Sequence, residues 1–96
     1  MTVYFVSRHA GARDWLARQG LAVDQQIAHL DPAGVIQGDT VIGTLPVNLA
    51  AEVCARGARY VHLSLQLPLD RRGQELTADE LEAHGARLQA YTVSAV

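Results

Sequence analysis

One stretch of the sequence decides the fold: residues 41–57, VIGTLPVNLAAEVCARG. It starts as a short β-branched apolar run, breaks at Gly43-Thr44, and continues after Pro46 in a helical pattern that stops at Gly57. Pro46 is predicted as the first helical residue, where its missing N–H would have no partner, and Gly57 as the left-handed residue after the last turn. The stretch therefore predicts a strand, a tight turn and a helix. Because backbone N–H groups of the turn lie at the positive end of the helix dipole, it is a candidate anion site.

Length and hydropathy indicate a small globular protein. The 96 residues are expected to form one domain, residues 1–96, of a size at which burial in an oligomer adds stability. Apolar residues make up 49% of the chain, yet no apolar run approaches the roughly 18 to 20 residues that span a bilayer. The first residues lack the basic region and cleavage site of a signal peptide. We therefore expect a cytoplasmic protein that does not bind membranes.

Charge and residue types exclude several classes of site. The net charge of −2 provides no basic field for duplex nucleic acid, and all eight cations are arginine, which favours planar, bidentate phosphate contacts. The single cysteine, Cys54, excludes a disulfide framework, and the four histidines are too dispersed for zinc-ligand spacing. Dinucleotide fingerprint, P-loop and nucleophile-elbow motifs are also missing. We expect no metal and no other cofactor.

Strand and helix signals alternate along the chain. The apolar run 3–6 predicts a buried strand, and a helix closed by Gly20 follows with apolar positions at helical spacing. A weaker strand over 23–30 suits a sheet edge. The remaining predicted elements are a short helical turn at 31–34, the strand-turn-helix over 40–57, a strand over 60–65, a polar loop over 66–76, a helix from the capping box at 77–80 to about Ala86, and a strand over 88–93.

This alternation predicts a single small Rossmann-like α/β domain, with a mainly parallel five-stranded sheet and helices on both faces. Its first and third strands are expected side by side at the centre, with their following helices on opposite faces. Ligands bind such folds in the crevice at the carboxyl ends of these strands. Three polar segments are expected to meet there: residues 7–11, 43–48 and 64–66.

Three segments, in this order, resemble a family of CRISPR-associated proteins. They are residues 4–12 (YFVSRHAGA) followed by Trp15-Leu16, residues 38–46 (GDTVIGTLP), and residues 60–65 (YVHLSL) with Pro68. Together they resemble the sixteenth family of the Csx series, whose members accompany type III CRISPR systems and are similar in setting to the ring nucleases. The resemblance implies a Rossmann-like, CARF-like fold, a cyclic tetra-adenylate ligand, a homodimer whose two-fold axis passes through the ring, and cleavage without metal.

The residues present suit that chemistry. A 3′–5′-linked cyclic oligoadenylate carries its own nucleophile, the ribose 2′-OH, so the protein must align it with the phosphorus and stabilise charge. We expect Arg8 to clamp a phosphate and His9 to act as general acid or base. The backbone of Gly43, Thr44 and Leu45 is expected to cradle an anion. The remaining candidate ligand-binding residues are Ser7, Gly11, Asn48, Ser64, Gln66, Arg71 and Arg72.

Each candidate also has a structural interpretation. Arg8 is equally consistent with an ion pair to Asp14 or Glu52, and His9 with a helix cap or a surface position. Thr44 and Asn48 would then satisfy N–H groups at the start of the second helix. His62 is interpreted as a core or interface residue, and His29 and His84 as solvated surface. Arg71 and Arg72 are interpreted as a solvated pair, and their functional alternative is a lid over the ligand.

Three function classes stay open from the sequence. The first is an enzyme that linearises cyclic tetra-adenylate and leaves a 2′,3′-cyclic phosphate. The second is a module that binds and sequesters the same ring, or a partner protein, without cleaving it. The third is an interaction protein with no ligand.

Overall fold

The computed structural model describes residues 1–66 and 76–96 of the chain. In chain order its elements are β1 (Val3–Val6), α1 (Ala10–Arg18), β2 (Gln25–Ile27), a 3-10 helix (Pro32–Gly34), β3 (Thr40–Gly43), α2 (Val47–Ala55), β4 (Arg59–Ser64), α3 (Ala78–Ala83) and β5 (Arg87–Tyr91). Most of the loop predicted over 66–76 lies outside the described residues. None of the helices in the described ranges is long and apolar enough to cross a membrane.

The five strands form one sheet in the order β2-β1-β3-β4-β5. β1 pairs in parallel with both β2 and β3, and β3 pairs in parallel with β4, whereas β5 runs antiparallel to β4. This confirms the α/β class, the mainly parallel five-stranded sheet and the adjacent first and third strands. β2 lies at the sheet edge as predicted, but it is shorter than the predicted 23–30, because a polar edge strand has one neighbour only.

Helices cover both faces of the sheet, as the topology predicts. Alternation in β3 sends Ile42 to the face packed by α1 and α3, and Val41 to the face packed by α2. Phe5 and Leu16 are fully buried on the first of these faces. Complete burial of a side chain of this size stabilises the fold by about 1.5–3 kcal/mol. The two apolar layers fix the orientation of the sheet edge at which β1, β3 and β4 end.

Helix ends follow the sequence signals with small corrections. Pro46 is the residue before α2 and not its first helical residue, with φ −55° and ψ 148°, and its carbonyl accepts from the N–H of Ala50. Gly57 has φ +79° and closes α2 as predicted. The capping box opens α3 as predicted, but the helix ends at Ala83, because Gly85 takes a left-handed φ of +73° just beyond it.

Candidate functional site

A pocket of about 360 Å³ opens at the carboxyl ends of β1, β3 and β4. This is the crevice that the strand order predicts. Its inner wall is apolar and is formed by Phe5, Val6, Ala12, Leu63, Leu65, Leu76 and Leu81. Its polar lining comes from the turns that follow β1 and β3. The pocket therefore combines an apolar interior with a polar entrance, which is the usual character of a small-ligand site.

The structure brings five of the predicted site residues to this pocket: Ser7, Arg8, His9, Gly43 and Thr44. Five others are not among the described residues that line it: Gly11, Leu45, Asn48, Ser64 and Gln66. Arg71 and Arg72 lie outside the described residues. The candidate site is therefore formed by two turns, residues 7–9 and residues 43–45. Different hydrogen bonds hold each of these turns in place.

The first turn is held by the edge strand. The backbone N–H of Ser7 donates to the carbonyl of Ile27 over 2.9 Å, and the hydroxyl oxygen of Ser7 accepts from the N–H of His9 over 3.1 Å. The side-chain amide of Gln26 donates to the carbonyls of Ser7 (3.2 Å) and His9 (3.3 Å). Sequence reasoning missed Gln26, whose only signal is a polar residue in a weak strand. The turn is therefore built by both β1 and β2.

Arg8 contacts a histidine and not a carboxylate. Its Nη2 lies 2.8 Å from Nε2 of His29. The predicted ion pair of Arg8 with Asp14 or Glu52 therefore does not form. His29 is exposed, as its interpretation as surface predicts, and its ring contacts Arg8 there. The register explains the contact, because Val6 pairs with Ile27 and both partners lie two residues beyond that pair. Arginine has no acceptor, so Nε2 of His29 must accept.

His9 is the residue immediately before α1, with φ −104° and ψ 122°. Its side chain makes no capping hydrogen bond to the helix, and its exposure agrees with the structural interpretation of His9 as a surface residue. The side chain is exposed and lines the pocket. An imidazole there can accept or donate a proton toward a bound ligand.

The second turn offers fewer donors than the sequence suggests. The N–H of Leu45 donates to the phenolic oxygen of Tyr60 over 3.1 Å, and the Leu45 side chain packs with the core beneath α2. Leu45 is therefore committed to internal contacts, and the expected backbone cradle loses this N–H. The hydroxyl of Thr44 donates to the carbonyl of Leu63 over 2.7 Å. Because its one hydrogen is used there, the Thr44 hydroxyl can only accept a hydrogen bond from a ligand.

Close packing of the backbone requires glycine at two of the predicted site positions, Gly43 and Gly11. A Cβ on Gly43 would lie 3.0 Å from the carbonyl oxygen of Val6, so glycine lets β3 approach β1 beside the pocket. A Cβ on Gly11 would lie 2.0 Å from the carbonyl oxygen of Leu76. Gly11 therefore permits the close approach of α1 to the segment before α3.

The other predicted site residues occupy positions beside the pocket. Asn48 is exposed in α2, and neither it nor Thr44 caps that helix, because α2 has no side-chain cap. Ser64 ends β4 opposite Arg87, and alternation turns it away from the face of Leu63. The N–H of Gln66 donates to the carbonyl of His84 over 2.9 Å.

Within residues 1–66 and 76–96, no three side chains of His, Cys, Asp or Glu come together in a group that could hold a metal ion. The polar side chains that the pocket offers a ligand are a guanidinium, an imidazole and hydroxyls.

Comparison with known proteins gives one family. A family model with the description "Putative CRISPR-associated protein (Cas_VVA1548)" matches residues 4–94. No curated protein and no solved structure gives a significant match. The matched range contains every residue of the two turns and of the pocket lining.

Proposed function

This chain belongs to the Cas_VVA1548 family of CRISPR-associated proteins, and from that premise we propose that it is a ring nuclease of type III CRISPR defence. Its substrate in this proposal is a cyclic oligoadenylate, with cyclic tetra-adenylate as the expected ring. Two copies of the chain would bind one ring about a two-fold axis, as the resemblance to the sixteenth Csx family implies.

The observation that carries the proposal is the composition of the pocket. Arg8 and His9 follow β1, Thr44 follows β3, and all three line a cavity of about 360 Å³ with an apolar inner wall. A nucleotide has matching parts, because its base is flat and largely apolar while its ribose and phosphate are polar. Guanidinium is the side chain best suited to a phosphodiester, since it donates two parallel hydrogen bonds.

The reaction needs no nucleophile from the protein. The ribose 2′-oxygen attacks the adjacent phosphorus, the bond from phosphorus to the 5′-oxygen breaks, and a 2′,3′-cyclic phosphate and a 5′-hydroxyl result. His9 would take the proton from the 2′-OH or deliver one to the leaving 5′-oxygen. Arg8 would stabilise the charge that develops on the phosphoryl oxygens. Thr44, as an acceptor, suits a ribose hydroxyl better than a phosphate.

A sequestering module without catalysis is the second candidate. The observation that favours it is the engagement of donors in the second turn: the Leu45 N–H and the Thr44 hydroxyl hydrogen are both used inside the protein. Charge stabilisation would then depend on the first turn. Such a site can bind a ring and still lack the donors that stabilise a transition state.

One experiment separates the candidates. Purified protein is incubated with radiolabelled cyclic tetra-adenylate in EDTA, and the products are resolved alongside a binding assay. Linear products ending in 2′,3′-cyclic phosphate support the nuclease. Intact ring that co-migrates with the protein supports sequestration, and absence of binding contradicts both.

Variants test the assignment of residues. We expect His9→Ala to keep ring binding and to lose cleavage, and Arg8→Ala to weaken binding. Arg13→Ala is the matched control, because Arg13 is exposed on α1 and does not line the pocket. Cleavage by His9→Ala at the wild-type rate would remove His9 from the mechanism.

A further inference from the structure

A buried hydroxyl lies behind the second turn. Tyr60, in β4, is 3% exposed, and its phenolic oxygen accepts from the N–H of Leu45 over 3.1 Å. The same oxygen lies 3.2 Å from the carbonyl oxygen of Gly43 and 2.6 Å from Nδ1 of His62. Burial raises the pKa of the Tyr60 phenol, and the Leu45 N–H opposes this effect. The phenol therefore keeps its hydrogen at neutral pH and offers one donor and two acceptor positions.

The hydrogen count around this oxygen selects one tautomer of His62. If Nδ1 carries the hydrogen, the Tyr60 oxygen accepts from His62 and from Leu45 and donates to Gly43, so every contact is a hydrogen bond. If Nδ1 is bare, the phenol must donate to it, and the contact between the Tyr60 and Gly43 oxygens contains no hydrogen. The first arrangement uses the full capacity of the buried phenol and makes each of its three contacts a hydrogen bond.

We infer that Tyr60 and His62 are positioning residues of the proposed ring site: His62, as its Nδ1–H tautomer, orients the Tyr60 hydroxyl, which fixes the turn of residues 43–45. The role of these residues in ligand binding rests on the proposed function. The tautomer of His62 and the restraint on the turn are independent of that function.

Neither side chain lines the pocket, so both act through the turn. Gly43 and Thr44 line it, and Tyr60 holds the residues on either side of Thr44 by their backbone. The Thr44 hydroxyl is restrained separately by its bond to the carbonyl of Leu63. Removal of the Tyr60 hydroxyl therefore releases the backbone that places the Thr44 acceptor. His62 also contacts the ring of Tyr91 edge-on, with centroids 6.0 Å apart, which limits its rotation.

The first test needs no ligand. Long-range proton–nitrogen spectra at mildly alkaline pH should show His62 of the wild-type protein as Nδ1–H. In Tyr60→Phe this preference should be lost, and the Leu45 amide should exchange with solvent at least about tenfold faster. Tyr91→Phe is the matched control, because it keeps the ring against His62 and leaves Tyr60 intact. An Nε2–H tautomer in the wild type, or equal Leu45 exchange in wild type and Tyr60→Phe, would overturn the inference.

The second test addresses the ligand. Binding of cyclic tetra-adenylate should weaken by about tenfold in Tyr60→Phe, because a turn that is no longer fixed must be ordered when the ring binds. It should be unchanged in Tyr91→Phe. Wild-type affinity in Tyr60→Phe with a fast-exchanging Leu45 amide would overturn the positioning role alone. A wild-type protein that binds no ring would contradict the proposed function, whereas the spectra of the first test would still report the tautomer.

Discussion

The guanidinium of Arg8 donates to Nε2 of His29 over 2.8 Å, and this contact joins the end of β1 to the chain that leaves the edge strand β2. Since arginine can only donate, His29 must present a bare Nε2, and its hydrogen lies on Nδ1. The pair therefore orients the proposed phosphate clamp through the ring of His29.

The contact predicts that His29 contributes to ring affinity. We expect His29→Ala to weaken binding of cyclic tetra-adenylate by about fivefold, because an unrestrained arginine loses more side-chain entropy when it binds. His29→Gln should bind as the wild type does, since its amide oxygen can accept from Arg8. Fluorescence anisotropy with a labelled ring measures both. Tighter binding by His29→Ala would mean that His29 competes with the phosphate.

Arg8 itself should be poorly replaced by lysine. We expect both Arg8→Ala and Arg8→Lys to weaken ring binding by at least about tenfold, because an ammonium cannot form two parallel hydrogen bonds to a phosphodiester. The thermal midpoint should stay near that of the wild type, since Arg8 is exposed. Calorimetric titration measures the affinity, and full activity of Arg8→Lys would contradict a bidentate clamp.

Gln26 should matter for the shape of the first turn. Its amide donates to the carbonyls of Ser7 and His9, and loss of two such bonds in Gln26→Ala is expected to destabilise the protein by about 1–2 kcal/mol. The proposed cleavage should be slower as well, because His9 would no longer be held. Gln25→Ala is the matched control, since Gln25 is its exposed neighbour in β2. Urea unfolding measures stability, and equal stability of the two variants would contradict this role.

We expect any side chain at position 11 to lower the stability of the folded protein. A Cβ there would lie 2.0 Å from the backbone oxygen of Leu76, so Gly11→Ala must displace α1 or the segment before α3. Overpacking of this kind costs about 1–3 kcal/mol in free energy of unfolding. Gly34→Ala is the control, because a Cβ at Gly34 would meet nothing within 4 Å. Urea titrations of both variants should show a loss for Gly11→Ala alone.

Asp39 is expected to make the folded protein less stable as the pH falls into the acidic range. This carboxylate is 2% exposed and accepts from the N–H groups of Ile36 (3.0 Å) and Thr2 (2.9 Å), and these bonds lower its pKa. A folded pKa below the unfolded value of about 3.9 adds stability that is present above that value and is lost as the pH falls through the folded pKa.

Thermal midpoints recorded from neutral pH down to about pH 3, below the ordinary aspartate pKa, test this dependence. The midpoint of Asp39→Asn should be lower than that of the wild type near neutral pH, and the difference should shrink as the pH falls. Asp14→Asn, on exposed helix surface, is the control. A constant difference across this range would show that Asp39 acts without its charge.

The crevice was predictable because it follows from strand order alone. Alternating strands and helices indicate a parallel sheet, and the carboxyl ends of β1 and β3 then meet at one edge. Ser7, Arg8, His9 and Thr44 could be placed there without coordinates. Pro46 was misplaced by one residue, because local signals define a helix end only to within a residue or two.

The sequence by itself determined the elements, their capping residues and the end of the sheet at which a ligand site would form, because these depend on periodicity and on contacts within a few residues. Only the tertiary structure decided which polar groups remain available to a ligand. Gln26 in β2, His29 just after β2 and Tyr60 in β4 reach the two turns from other parts of the chain, at positions set by sheet register. For residues 41–57 the consequence is specific: the turn is held from behind by Tyr60, so the Leu45 N–H is used inside the protein and Thr44 faces the pocket as an acceptor.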